Sequence, residues 1–218
     1  GRYILSPVDG EAIDRGTWRM SLESARSYPD TRRIEGRLVT LRPMTAEDGG
    51  AMLGFSRALP EHDLLFLPRD ITSEAGIAEW VAEIEEGEAL TILAEDGGAI
   101  LGFSTIRRSS LRWTAHVGAL HVMVAAPMRG LGLGRVLTQE AFTNALGMGI
   151  EKLIAQMTVD QRSAISTFEN LGFKPEALLR DQVKDRTGQT HDLLILSHDV
   201  SKFQKQRNSF GMGQAFGN

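Results

Sequence analysis

The segment HVMVAAPMRGLGLGRVL, His121 to Leu137, joins an apolar strand to an amphipathic helix through glycines at three alternate positions, Gly130, Gly132 and Gly134. Residues without Cβ let the backbone curl tightly and let an anion approach its amides closely. The helix that starts here adds unpaired N–H groups and the positive end of its dipole. Arg129 and Arg135 flank this nest and can supply charge-assisted bonds to phosphate oxygens. The chemistry of the loop is that of a phosphate cradle, without specifying the ligand that carries the phosphate.

Outward from the loop, the pattern alternates strands and helices. Arg37–Leu41 reads as a strand closed by Pro43, and Thr45 then caps a helix to about Ala58 with Asp48 at its third position. An apolar loop, PEHDLLFLPRDI, leads to a second helix capped by Thr72 or Ser73, with Ile77, Trp80, Val81 and Ile84 on one face. Its acids Glu79, Glu83 and Glu86 read as a solvated face. Ala89–Glu95 and Ala99–Arg107 form a hairpin around Asp96-Gly97-Gly98, and a third strand runs from about Trp113 to Val124. After the glycine loop the helix extends to about Leu146 and ends at Gly147-Met148-Gly149. Leu153–Met157 reads as a short buried strand and Asp160 as the cap of a helix stopping at Gly172. Ala177–Val183 and His191–Leu196 make a final hairpin.

These elements divide the chain into an N-terminal extension (1–33), one domain (34–200) and a polar, glycine-rich tail (201–218) whose Phe203, Phe210 and Phe216 could reach a second subunit. The chain has 218 residues, 42% of them hydrophobic, and a formal net charge of -4. That balance gives no electrostatic reason to seek nucleic acid or an anionic membrane. No apolar run is long enough to span a bilayer, and the first residues lack the apolar stretch of a secretory signal. There is no cysteine, which excludes disulfides, thiolate metal sites and a cysteine nucleophile and suits a cytoplasmic setting.

Several readings compete for the glycine segment. A Walker-type loop wants Lys-Ser/Thr after its last glycine, where Arg135-Val136 stands. A dinucleotide fold wants G-x-G-x-x-G after a strand in a parallel unit, and here the spacing is G-x-G-x-G after hairpin strands. A structural turn with no ligand gains little from two flanking arginines.

Arg129-Gly130-Leu131-Gly132-Leu133-Gly134 resembles the Arg/Gln-x-x-Gly-x-Gly/Ala signature of the GCN5-related N-acetyltransferases (GNAT family). Leu41-Arg42-Pro43 with Asp48 is similar to that family's opening "LRP…ED" strand and helix. Ser163 to Phe173, SAISTFENLGF, is similar to its "A-x-x-x-Tyr-x-x-x-Gly-Phe" helix. The resemblance covers about Ile34 to Val200.

The resemblance implies an α/β (α+β) fold, a mixed, mostly antiparallel sheet flanked by helices that splays beside a bulge in the Trp113–Val124 strand. It implies acetyl-CoA as co-substrate, no metal, and transfer of an acetyl group to a primary amine by direct attack in a ternary complex. Val122, Met123 and Val124 would line the acyl-CoA gap, with backbone groups of Val122 and Val124 meeting the pantetheine arm. Amides from Arg129, Gly130, Leu131, Gly132, Leu133, Gly134 and Arg135 would hold the pyrophosphate. Asp160 and Ser163 stand where the family often has a pantetheine-binding Asn, and Phe168 where it often has a Tyr that protonates the CoA thiolate.

The only tyrosines are Tyr3 and Tyr28, both in the extension. The thiolate therefore leaves unassisted, through water, or with Tyr28 folded back; a thiol near about 8.5 favours water. An alkyl amine near about 10.4 needs a proton acceptor. Gly118 or Ala119 falls where some relatives carry a Glu, leaving Glu61, His62, Asp63, His116 and His121 as candidates, with Glu61 or His62 expected to relay the proton. Acidic residues on the loop Pro60–Ile71 and the second helix fit an amine, whether a small molecule or a protein lysine, bound by a monomer or homodimer. A non-catalytic acyl-CoA sensor is the alternative that the missing Tyr and Glu favour.

Overall fold

A computed structural model describes residues 27–65 and 67–200; the rest of the extension and the 201–218 tail, with its three phenylalanines, lie outside the described residues. Eight strands form one sheet: β1 (Asp30–Ile34), β2 (Arg37–Pro43), β3 (Ala89–Asp96), β4 (Ala99–Arg108), β5 (Val117–Val124), β6 (Lys152–Thr158), β7 (Lys174–Lys184) and β8 (Thr190–Asp199). Their spatial order is β1-β2-β3-β4-β5-β6-β8-β7, antiparallel throughout except for a parallel β5–β6 pair. Among the described residues, four helices flank it: α1 (Gly49–Arg57), α2 (Glu74–Glu86), α3 (Leu133–Gly147) and α4 (Arg162–Asn170). No helix among the described residues is long and apolar enough to cross a membrane.

Both faces of the central strands are covered, so β3 and β4 are nearly continuous buried runs rather than alternating ones. On one face α1 and α2 bury Met52, Ile77 and Trp80 against Leu93 and Phe103. On the other, Leu133 and Leu137 of α3 pack on Leu41, Ile92 and Ala94. Gly102 permits this approach: a Cβ there would lie 2.6 Å from the Met123 carbonyl and 3.2 Å from Leu137. A second part of the core joins α3 and α4 through Phe142, Phe168 and Phe173 to β6 and β8.

Local sequence explains the boundaries. Gly97 and Gly98 both take positive φ, 57° and 85°, which gives the β3–β4 turn the twist of its flanking strands. Ser73 caps α2 by accepting from the Gly76 N–H at 3.0 Å. The Leu-Arg-Pro…Asp pattern works as a staple. Arg42 binds Asp48 through two bonds of 2.7 and 2.8 Å and Glu95 at 2.8 Å, while Thr45 N–H donates to Asp48 at 2.8 Å.

Five expectations are corrected. The sheet starts at Asp30, ahead of the Ile34 boundary, because β1 pairs with β2 through the turn at Glu35-Gly36. Residues 112–114 form a 3-10 turn, so β5 begins only at Val117. The expected bulge is not there: the β4–β5 register is unbroken from Gly102/Val124 to Arg108/Gly118. Asp160 does not cap α4, whose N-cap is Gln161. Glu83 is not a solvated acid but is ion-paired with Arg69 and Arg107.

Candidate active site

The gap in the sheet comes from short pairing. β5 and β6 are bonded only over Val117–Ala119 and Lys152–Ile154 and then diverge. At the closed end Gly118 brings the strands together, since a Cβ there would sit 3.0–3.2 Å from Ile106, Ile150 and Leu153. At the open end the Met123 carbonyl lies at Gly102 and the Ala125 N–H donates to Leu101 at 2.8 Å, so both residues face β4. Backbone direction alternates along a strand, so the N–H and C=O of Val122 and Val124 face the gap. The resulting cleft has a volume of about 620 Å³.

One end of the cleft is the glycine loop. Gly130 and Gly132 take φ of 75° and 87°, and Gly132 is the N-cap of α3. Val136 is the first residue to donate back, to Gly132 at 3.1 Å, so the N–H groups of Leu133, Gly134 and Arg135 have no intrahelical partner. No Cβ crowds Gly130 or Gly132. Curled backbone, free amides and a helix dipole converge where Arg135 lines the wall, which fits a pyrophosphate. Arg129 is engaged elsewhere: its Nε donates to the Val124 carbonyl at 3.2 Å and its guanidinium pairs with Asp63.

A polar cluster joins the loop after α1 to the end of β6 and the β7–β8 hairpin; Asp160 lines the cleft, and His62 stands behind it, outside the lining. His62 Nε2 lies 3.0 Å from Asp160 Oδ2 and 3.0 Å from Thr158 Oγ1. Its ring meets His191 edge-on at 5.5 Å, and His191 Nε2 lies 2.8 Å from Asp185. A carboxylate can only accept, so Nε2 carries the hydrogen, which leaves Nδ1 as the ring nitrogen that can accept a proton. The Thr158 hydroxyl, and then His62 and His191, hold the Asp160 carboxyl below its ordinary range. Thr187 and His191 do the same for Asp185.

The remaining candidates sort by position. Val122, Met123, Val124, Asp160, Ser163 and Phe168 line the cleft with Gly130, Gly132 and Gly134, whereas the Leu133 side chain is buried in the core and Leu131 is exposed. Phe168 packs edge-on against Phe173 at 4.9 Å. Glu61 is exposed and paired with Arg186 at 3.1 Å. His116 precedes β5 at its closed end, about 20 Å along the strand from Val122. Its carbonyl accepts from Glu151 and Lys152, and it lies outside the cleft. Tyr28 is also away from it: its hydroxyl donates to Glu140 at 3.1 Å and accepts from Asn144 at 2.8 Å on α3. Burial holds that phenol well above its ordinary pKa.

Thr138, Gln161, Thr167 and Asn170 line the cleft without having been singled out from sequence. Their spacing on helices carries no signal, since similar residues decorate any amphipathic surface.

The fold and cleft agree with known proteins. The profile of the acetyltransferase (GNAT) family matches residues 58–173. A GNAT-family acetyltransferase from Streptococcus pneumoniae superposes with a TM-score of 0.65 at 18% identity, over 74% of this chain and 99% of its own. The protein yncA from Salmonella typhimurium, solved with its cofactor acetyl-CoA, gives 0.65 at 18% over 74% and 94%. Spermidine N-acetyltransferase from Vibrio cholerae, in complex with CoA and spermine, gives 0.64 at 16% over 76% and 98%. No curated protein sequence matches this chain significantly. The family match spans more than half the chain and contains the glycine cradle, and the chain belongs to the GNAT acetyltransferase family.

Proposed function

We propose that this acetyltransferase moves an acetyl group from acetyl-CoA to a primary amine by direct attack, with His62 taking the proton. Bound in the cleft, acetyl-CoA supplies an activated thioester: the N–C bond forms, the C–S bond breaks, and CoA leaves as a thiolate that water protonates. The chain's own residues do the rest. The amides of Leu133, Gly134 and Arg135 hold the pyrophosphate, and the backbone of Val122 and Val124 holds the pantetheine arm as an added strand. A cleft-facing N–H of β5 stabilises the charge that develops on the carbonyl oxygen. His62, fixed by Asp160, receives the amine proton directly or through a water.

The observation that carries this reading is the 3.0 Å contact of His62 with Asp160, an acid that lines the same cleft as the anion cradle. Glu61, spent on an exposed pair with Arg186, is the weaker candidate for the base. The test is thiol release from acetyl-CoA against a broad amine panel, run beside CoA binding measured by tryptophan fluorescence. Turnover that needs both amine and His62 supports the proposal. CoA binding without turnover of any amine would leave an acyl-CoA sensor instead.

A further inference from the structure

We infer that the acceptor amine also carries an acidic group, held by Arg69 and Arg107 in a pocket on the α2 face of the sheet beside the acyl cleft. This rests on the transfer reaction proposed above and deepens it.

Glu83 of α2 is shared by two guanidinium groups. Arg107 Nε donates to both carboxylate oxygens at 3.1 and 3.2 Å, and Arg69 pairs with the same carboxylate from the loop side. Two cations on one carboxylate leave a net positive charge among the three. Arg69 carries the cost of that arrangement, because its side chain is only 9% exposed and its Nε has no hydrogen-bond partner. A buried guanidinium with an idle donor is expensive unless an anion completes it, and its planar fork matches a carboxylate.

The surroundings are those of a subsite rather than a surface pair. Leu67, Pro68, Ile71 and Trp80 make apolar walls, with Thr105 and His121 from β4 and β5 on the floor. The enclosed space is about 20 Å³, roughly the room of one water, so only a carboxylate oxygen would enter it while the rest of the acceptor stays at the mouth. His121 and Met123 share one face of β5, about 7 Å apart, and Met123 lines the acyl cleft. The same loop covers both places, Asp63 at the cleft and Leu67 to Arg69 at the pocket. An acid gripped at the pocket therefore presents its amine toward the thioester.

The test uses glycine, β-alanine, 4-aminobutanoate and L-glutamate, each against its amide, with spermidine as the cationic comparator and the broad amine panel alongside. At least one acid should exceed its amide and spermidine by about tenfold in kcat/KM, against the intrinsic advantage of the less basic amide. Arg107→Gln, at a half-exposed position, and Arg69→Gln should each raise KM for that acid about tenfold with CoA affinity kept. Glu83→Gln should lower it, a gain that mere structural damage cannot produce. Amines acetylated with no preference for the acid, or a preference that survives both arginine substitutions, would overturn this inference and leave the transferase reading intact. No turnover of any amine would overturn both.

Discussion

His62 Nε2 sits 3.0 Å from Asp160 Oδ2, tying the loop after α1 to the three-residue link between β6 and α4. If this pair moves the proton, His62→Ala should lower kcat by about 10²–10⁴ and leave CoA affinity unchanged. Asp160→Asn should lower kcat by less, because the imidazole remains but its tautomer and direction are no longer imposed. Steady-state kinetics beside a fluorescence titration separates the two effects.

Two glycines of the cradle should respond differently to alanine. Gly134 has helical geometry, and an added Cβ would meet only Val124, at 3.7 Å, so Gly134→Ala should stabilise the fold by about 1 kcal/mol. The same methyl group intrudes on the phosphate face and should weaken CoA binding about tenfold. Gly132 sits at φ 87°, where a side chain is strained by about 1–2 kcal/mol, so Gly132→Ala should lower both Tm and affinity. Calorimetric melting and CoA titration of the two proteins check the contrast.

Acid should loosen the Arg42–Asp48 staple. Arg42 first, with help from Thr45, holds the Asp48 carboxyl down to about 2. Its unfolded value is about 3.9, so the stabilisation is complete above that pH and disappears as pH falls through 2. The depression corresponds to about 2 kcal/mol, and Asp48→Asn should lose that much near neutrality. Urea unfolding between pH 2 and 7 should then show a flatter pH dependence for the variant than for the parent.

The aromatic residues divide between stability and chemistry. Tyr28→Phe removes a hydroxyl shared by Glu140 and Asn144 and should cost about 1–3 kcal/mol without changing kcat. Phe168→Tyr puts a phenol into the cleft wall. A thiolate leaving group near about 8.5 needs no acid, so kcat should stay within roughly threefold of the parent. A large gain would mean that departure of CoA limits the wild-type protein.

The strand–loop–helix segment was legible because its signals are local: three alternating glycines, a flanking strand and the free amides that any helix start provides. The β3–β4 turn, the Thr45 and Ser73 caps and the helix periods were legible for the same reason. What sequence did not give was tertiary pairing. Asp160 has the look of a cap and serves as an acceptor for a histidine 98 positions away along the chain. Glu83 sits on a helix face that reads as solvent, but two arginines from a loop and a strand fold over it. The splay was expected from a bulge and arises instead from a parallel pairing that stops after three residues, which no residue in β5 announces.

That short pairing leaves two inner strand edges facing each other across open space, like a zip fastened only at its base. The amides of Val122 and Val124 should therefore exchange with deuterium quickly in the free enzyme and slow once the co-substrate fills the wedge. Saturation at a hundred times Kd would add about 2.7 kcal/mol to the resistance of the whole sheet against unfolding. Supply of the acyl donor thus becomes a control on the lifetime of the protein as well as on its rate.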